Sequence, residues 1–373
     1  MALSKVDPNF LNVSQIGGRR NMIINGAMQV SQRPDISSVT VSGGNYYDFH
    51  STDRWKTGYA NMDGLVFSCE QSTDAPDGLN FSRKYTIHTA KANAADQYFS
   101  AWTRLERHSY SGVGIGTSAA KNLTLSFWVK SSETGTFAGI HLVYPTAGNA
   151  YEINFTYTIN TANTWEYKTV SLPTSSLTSS TYYMQPSAAA GDYTAFHINA
   201  GTDYDGGTGS TSSYKSYSGN DWAVGHQVDI TTVTNATWAI TGVQLEVGDT
   251  ATPFEHRSYA EEYQACLRYF YRFNDISEFG AIGTAIGTTS AWYVPYSLPV
   301  HMRTDPSISV SSASHFRTTL QHSNSTAATS VNIGYSGPKE LMLSVQAESN
   351  TAGTLRMFGF ASTSGYMDFS AEL

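Results

Sequence analysis

Few side chains in this sequence are spaced for covalent chemistry. Glu261-Glu262 is a carboxylate pair, but it falls in the first turn of an expected helix, where acidic groups complement the helix dipole. Asp203-Tyr204-Asp205-Gly206 starts like a calcium loop, yet no glutamate stands at the twelfth position. His301, His315 and His322 lack the H-x-H or H-x-x-x-H spacing of a metal pair. No nucleophile elbow, H-E-x-x-H helix or P-loop is present, and Gly112-Val113-Gly114-Ile115-Gly116 sits between β segments as a loop. Cys69 and Cys266 make no metal or redox spacing and read as two buried, reduced thiols, with a single disulfide as the alternative. The expectation is a non-enzyme with no catalytic residue, cofactor or metal ligand. A depolymerase stays open as an alternative, because glycosidase carboxylates come from separate strands and cannot be paired in sequence.

What the sequence holds in excess is rings. Aromatic residues make up 13%, 24 of them tyrosine, against 14% charged residues. A sugar presents an apolar C–H face that stacks on such rings and hydroxyls that meet the Tyr and Trp polar tips. The candidates are Tyr46, Tyr47, Tyr98 and Trp102, with Tyr204, Tyr214, Tyr217 and Trp222 in an aperiodic Gly/Ser-rich stretch over 200–226. The plainer reading is that most of these rings pack under loops or in subunit contacts. A formal charge of -8 without a Lys/Arg run argues against nucleic acid. No apolar stretch approaches the length of a membrane span, and Met1 to Pro8 lacks the apolar core of a secretory signal.

The elements that must position these rings are mostly strands, because alternating Thr, Tyr, Phe, Trp and Val suit a pleated surface. Alternation predicts strands over 21–30, 123–130, 151–159, 165–172 and 238–247, and then over 292–300, 308–310, 341–345, 355–361 and 367–373. One helix is signalled between them. Ser258 and Glu261 form a capping box, and Tyr263, Cys266, Leu267, Phe270 and Tyr271 make an apolar stripe that carries the helix to 272–274. The chain therefore reads as all-β: an arm over 1–20, a jelly-roll β-sandwich over 21–256, a connecting helix over 257–273 and a smaller β-sandwich over 274–373.

Several strings, in order, resemble the tail-fibre and virion appendage proteins of tailed bacteriophages that carry a carbohydrate-binding-module-like jelly roll. They are Asn21-Met22-Ile23-Ile24-Asn25-Gly26-Ala27-Met28-Gln29-Val30-Ser31-Gln32-Arg33, then Asp53-Arg54-Trp55, and LTLSFWVKS over 123–131. The fullest is Ile240-Thr241-Gly242-Val243-Gln244-Leu245-Glu246-Val247-Gly248-Asp249, continuing through Ala251 to Arg257, Glu261-Glu262 and Cys266. The likeness covers residues 1 to about 272; beyond it, only Leu298 to Arg303 with Pro306 resembles the distal domains of such fibres. It implies a virion protein made in the host cytoplasm, held to other virion proteins by its N-terminal arm and displaying its C-terminal domain outward. Such modules often hold a structural calcium through an acid just after the Asn-Gly turn; that position here is Gln29. The resemblance further implies a homotrimer, for which Tyr263, Leu267 and Phe270 are the candidate seam, the alternative being that this stripe packs onto its own sandwich, and a host-surface glycan as partner. The glycan set is Tyr204, Tyr214, Tyr217, Trp222, Tyr98 and Trp102. The alternative is a head fibre, capsid decoration or tail-connector protein without a ligand of its own.

Overall fold

The computed structural model describes residues 20–274, 279–285, 291–319, 325–347, 355–362 and 364–373. The expected arm over 1–20, apart from Arg20, and His322 lie outside the described residues. The chain divides into two compact units between Ser258 and Tyr259. Among the described residues it forms 23 strands and two α-helices, α1 (Thr202–Asp205) and α2 (Tyr259–Leu267), with every strand pair antiparallel. The fold is all-β.

In the first unit, one sheet has six strands in the order β1 (Ile36–Thr40), β4 (Val66–Ser72), β5 (Ser82–Thr89), β13 (Thr237–Val247), β7 (Leu123–Ser131) and β10 (Glu166–Leu172). The facing sheet has seven: β12 (Lys215–Ser216), β9 (Tyr151–Ile159), β8 (Gly135–Val143), β11 (Asp192–Ala200), β6 (Tyr98–Thr103), β3 (Lys56–Ala60) and β2 (Asn45–Phe49). Because the order crosses repeatedly between sheets, this is the two-sheet arrangement of a jelly roll. The alternation in β7 sends Leu123, Leu125, Phe127 and Val129 into the shared core, as the period-2 pattern requires. At its centre Phe196 meets Phe127 edge-on at 4.9 Å and lies 6.2 Å from Trp55.

The stretch over 21–30 is not a strand. Its backbone turns at residues 23–27, and Asn25 and Met28 adopt positive φ. Asparagine side chains replace the missing ladder bonds. Asn21 donates to the Val243 carbonyl at 3.0 Å and accepts from the Leu245 amide, while Asn25 donates to the Val30 and Asp53 carbonyls at 2.8 Å each. Gly26 is needed because the segment lies against β13: a Cβ there would sit 2.1 Å from the Val243 carbonyl oxygen. Gly26→Ala is therefore expected to cost about 1–3 kcal/mol by overpacking, read as a fall of a few degrees in melting temperature. An unchanged transition would mean that the segment shifts freely. The Gln244/Glu246/Glu255 part of the longest string is likewise structural. Glu246 accepts from the Thr252 amide and hydroxyl, and Glu255 accepts from the Arg20 and Asn21 amides.

The second unit has a three-stranded sheet, β14 (Phe270–Phe273), β23 (Met367–Ser370) and β17 (Ser307–Val310). Its seven-stranded sheet runs β19 (Ser325–Ala327), β18 (Phe316–Thr319), β22 (Leu355–Phe360), β15 (Phe279–Ala285), β16 (Ala291–Ser297), β21 (Glu340–Gln346) and β20 (Ser330–Tyr335). One core of Val294, Phe316, Leu343, Phe358 and Phe369 serves both sheets. The helix stops at Leu267, short of the expected 272–274. Phe270 and Tyr271 belong instead to β14, whose Phe-Tyr-Arg-Phe run suits a strand and pairs with β23, pinned by the Arg272 fork on Asp368 at 2.7 and 2.6 Å. Within a single chain Leu267 and Phe270 are buried and Tyr263 is half-buried. The last strand ends at Ser370 rather than running on to Leu373.

Candidate ligand-binding face

The seven-stranded sheet of the first unit has a second face, turned away from the shared core, and the long segment over 201–226 lies across it. The register sets Lys56, Trp102, Ala195, Ile140 and Asn154 in one row across β3, β6, β11, β8 and β9. The neighbouring row carries Tyr47, Gly58, Ser100 and His197. Gly58 is small for a reason: a Cβ there would lie 2.9 Å from the Trp102 indole nitrogen and 3.2 Å from the Tyr47 ring. The flat rings of Tyr47 and Trp102 can thus approach each other to 6.2 Å.

Polar side chains of the sheet hold the covering segment down. Asn154 donates to the Asp221 carbonyl and accepts from the Ser210 amide. Glu152 accepts from the Ser218 amide at 3.2 Å and lies 3.4 Å from the Lys215 ammonium, which also pairs with Asp221. Period-2 alternation reads Glu152 and Asn154 as solvent-facing; they are buried because the segment covers them. Burial pushes the Glu152 carboxyl up to about 7.

This cover brings the two sets of candidate rings together. Trp222 is half-buried and lies 5.5 Å from Tyr98, 5.7 Å from Tyr193, 6.2 Å from Tyr217 and 6.4 Å from Tyr204. Its indole N–H donates to the Tyr217 hydroxyl. Trp102 extends the cluster through Tyr193 at 4.9 Å, and Tyr98 donates to Tyr47. Five of the six glycan candidates, Tyr98, Trp102, Tyr204, Tyr217 and Trp222, therefore share one face.

Tyr214 does not join them. Its hydroxyl bonds Nδ1 of buried His141 at 2.8 Å, and the other His141 nitrogen meets the Tyr110 hydroxyl, which donates to Asp192 at 2.7 Å. Tyr214 is an anchor for the segment. Tyr46 turns away too, stacking on Tyr59 at 5.0 Å.

A small cavity of about 130 Å³ opens beside Trp222, lined by Arg104, Leu142, Tyr144, Ala150, Tyr193, Tyr217 and Trp222. That is below the roughly 300–1,000 Å³ of pockets for drug-sized ligands, and suits a single small ring or polar group. The Tyr193 hydroxyl and the Arg104 Nε are buried without a hydrogen bond of normal geometry, although Ser100 lies beside the first and the Tyr144 hydroxyl beside the Arg104 guanidinium. Burial raises the Tyr98 and Tyr193 hydroxyls above the ordinary tyrosine range, so both stay protonated and able to donate. Arg104, Tyr144 and Tyr193 carry no signal in the sequence. They lie at strand ends or in the fully buried run of β11, and only the register places them beside Trp222. A larger, open groove of about 580 Å³ lies on the outer face of the six-stranded sheet, around Trp128, Tyr167, Phe254 and His256. Among the described residues no three His, Cys, Asp or Glu side chains converge on a common point. Cys69 and Cys266 are both buried thiols.

No protein-family model matches the chain, and no curated protein matches it. Similar solved structures include the enzymatically active domain of tailspike protein 4 from bacteriophage CBA120, at 12% identity and a TM-score of 0.33. That match covers 61% of this chain, which spans only 21% of the tailspike chain. The family 11 carbohydrate-binding module of Clostridium thermocellum, in complex with a β-1,3-1,4-mixed-linked tetrasaccharide, matches at 13% identity over 57% of this chain and 100% of its own, with a TM-score of 0.27. A putative sugar-binding protein from Bacteroides thetaiotaomicron matches at 9% identity over 61% of this chain and 100% of its own, with a TM-score of 0.28.

Proposed function

We propose that this protein is a glycan-binding subunit of a bacteriophage tail fibre or adhesin, attaching the particle to its host surface without catalysis. The observation that carries the glycan half is the ring cluster around the small cavity. There, Trp222, Tyr217 and Tyr193 offer apolar faces beside buried donors that lack a hydrogen bond of normal geometry. Buried polar groups without partners are rare because each costs about 1–3 kcal/mol, and a hydroxylated ligand would supply the missing bonds. The virion half, with attachment through the N-terminal arm and a homotrimeric state, is supported by the strings over 21–33, 53–55, 123–131 and 240–257. Single sites can be weak, since several copies on one particle gain by avidity.

Binding of the full-length chain to host cells and to an immobilised glycan panel tests this reading, with light scattering on the same sample. The expected results are glycan-dependent binding, a mass of three chains, and loss of binding in Tyr217→Ala. Tyr217 is 38% exposed, so Tyr217→Ala is expected to fold with only a small fall in melting temperature. Trp128→Ala, in the groove on the opposite sheet, should leave binding unchanged. Loss of binding in Trp128→Ala with Tyr217→Ala unaffected would move the site to that groove. A monomer would remove the trimeric part.

A further inference from the structure

Arg104 follows β6 directly and is fixed from behind, since the Arg54 guanidinium donates to its carbonyl at 2.6 Å. Its own guanidinium lies over Trp102 at 5.0 Å, Tyr193 at 5.4 Å and Tyr144 at 5.7 Å. Among the described residues no carboxylate comes within ion-pair distance of it. Two acids beside the cavity's tyrosines are already engaged: Glu152 by Lys215 and the Ser218 amide, Asp192 by Tyr110 and the Leu105 amide. Ring faces attract a guanidinium, but they do not replace the hydrogen bonds its N–H groups lose on leaving water. The Nε stays buried at the cavity wall without a hydrogen bond of normal geometry.

We infer that the cavity takes the carboxylate of an acidic sugar, with Arg104 as its anion-binding residue and Trp222 and Tyr217 against the sugar ring. This rests on the glycan reading above and names the class of glycan. Three features lead to it. A partly desolvated guanidinium without a counter-ion gains most from an anion brought by the ligand. Its planar fork matches a carboxylate with two parallel bonds. And about 130 Å³ leaves room for one ring and its charged substituent rather than a chain segment. The net charge of -8 gives no long-range attraction for acidic glycans, so the selectivity is local to Arg104.

The test uses immobilised polysaccharides in matched pairs, namely polygalacturonate, hyaluronan and alginate, each beside its carboxyl-reduced form, with dextran sulfate alongside. The full-length chain is expected to bind at least one acidic member ten-fold or more above its reduced partner. Arg104→Gln should remove that preference while keeping the wild-type melting temperature. Arg104→Lys, which keeps the charge but loses the fork, should fall between the two, and it decides the matter should the glutamine variant not fold. Equal binding to acidic and reduced members, or undiminished binding by Arg104→Gln, would overturn the inference and leave the glycan reading standing. Binding to dextran sulfate alone would overturn the carboxylate. No binding to any member by the wild type would count against the glycan reading itself.

Discussion

Trp222→Ala is expected to abolish glycan binding and, at the same time, to free residues 201–226 from the sheet. From sequence, the change reads as a loss of binding without a shift in melting temperature. The structure alters the second half of that expectation. Trp222 touches Tyr98, Tyr193, Tyr204, Tyr217 and His197, so it wedges the covering segment onto the face as well as lining the cavity. Buried Trp→Ala changes cost about 3–5 kcal/mol; half-burial scales this to about 1–3 kcal/mol, or several degrees in a unit of this size. Hydrogen exchange should show lost protection over 201–226, with β7 and β13 unchanged. Wild-type binding by Trp222→Ala would remove it from the site. Lost binding with full protection over 201–226 would make it a pure ligand contact.

Acid should loosen the same cover, and His197 is the reason. It lies fully buried under Trp222, without a hydrogen bond of normal geometry at either nitrogen. Burial and the neighbouring His226 lower it from 6.5 to about 3. The unfolded chain therefore binds a proton that the folded chain refuses. This contribution is fully present above pH 6.5 and lost progressively as the pH falls toward 3. At about 1.4 kcal/mol per pKa unit it is on the order of 5 kcal/mol. His50, lowered to about 4 mainly by burial, and His226 act in the same direction. Glu152 opposes them: raised from 4.5 to about 7, it takes up its proton in the folded state first and adds stability between those values on acidification. The three histidines, joined by Asp74, Glu166 and Glu255, whose carboxyls are held below the ordinary range, outweigh the raised Glu152 and Asp205 and leave a net loss as the pH falls from 7 to 4. His197→Phe should flatten the fall in melting temperature over that range. A variant with the same pH dependence as the wild type would show that His197 is not the titrating group.

The sequence is most legible where a single period governs. β7 and β9 follow their alternation, and their inward residues form the core. It is least legible where side chains stand in for backbone partners. Asn21 and Asn25 imitate a ladder, so the run over 21–30 looks like a strand and is not one. The helix stripe overruns because Phe270 and Tyr271 keep helical spacing while their real partners lie about 100 residues away in β23. At the site, aromatic content and the aperiodic stretch over 200–226 point to most of the rings, but type and spacing cannot sort them. Tyr214 and Trp222 look alike in sequence, yet one bonds a buried histidine and the other lines the cavity. Arg104 is invisible because its meaning lies in what it lacks, a carboxylate partner, and that depends on the whole sheet register.

The seven tryptophans give the most direct measurement. Their indole N–H signals in a nitrogen-15 spectrum of the full-length chain should be followed while a uronic-acid oligosaccharide is added. Trp222 and Trp102 sit on the ring face, Trp128 and Trp165 on the other sheet, and Trp55 and Trp238 in the shared core. A site on the ring face requires the Trp222 and Trp102 signals to move together and saturate, while those of Trp128, Trp165, Trp55 and Trp238 stay in place. Movement of Trp128 with Trp222 and Trp102 unmoved would contradict it.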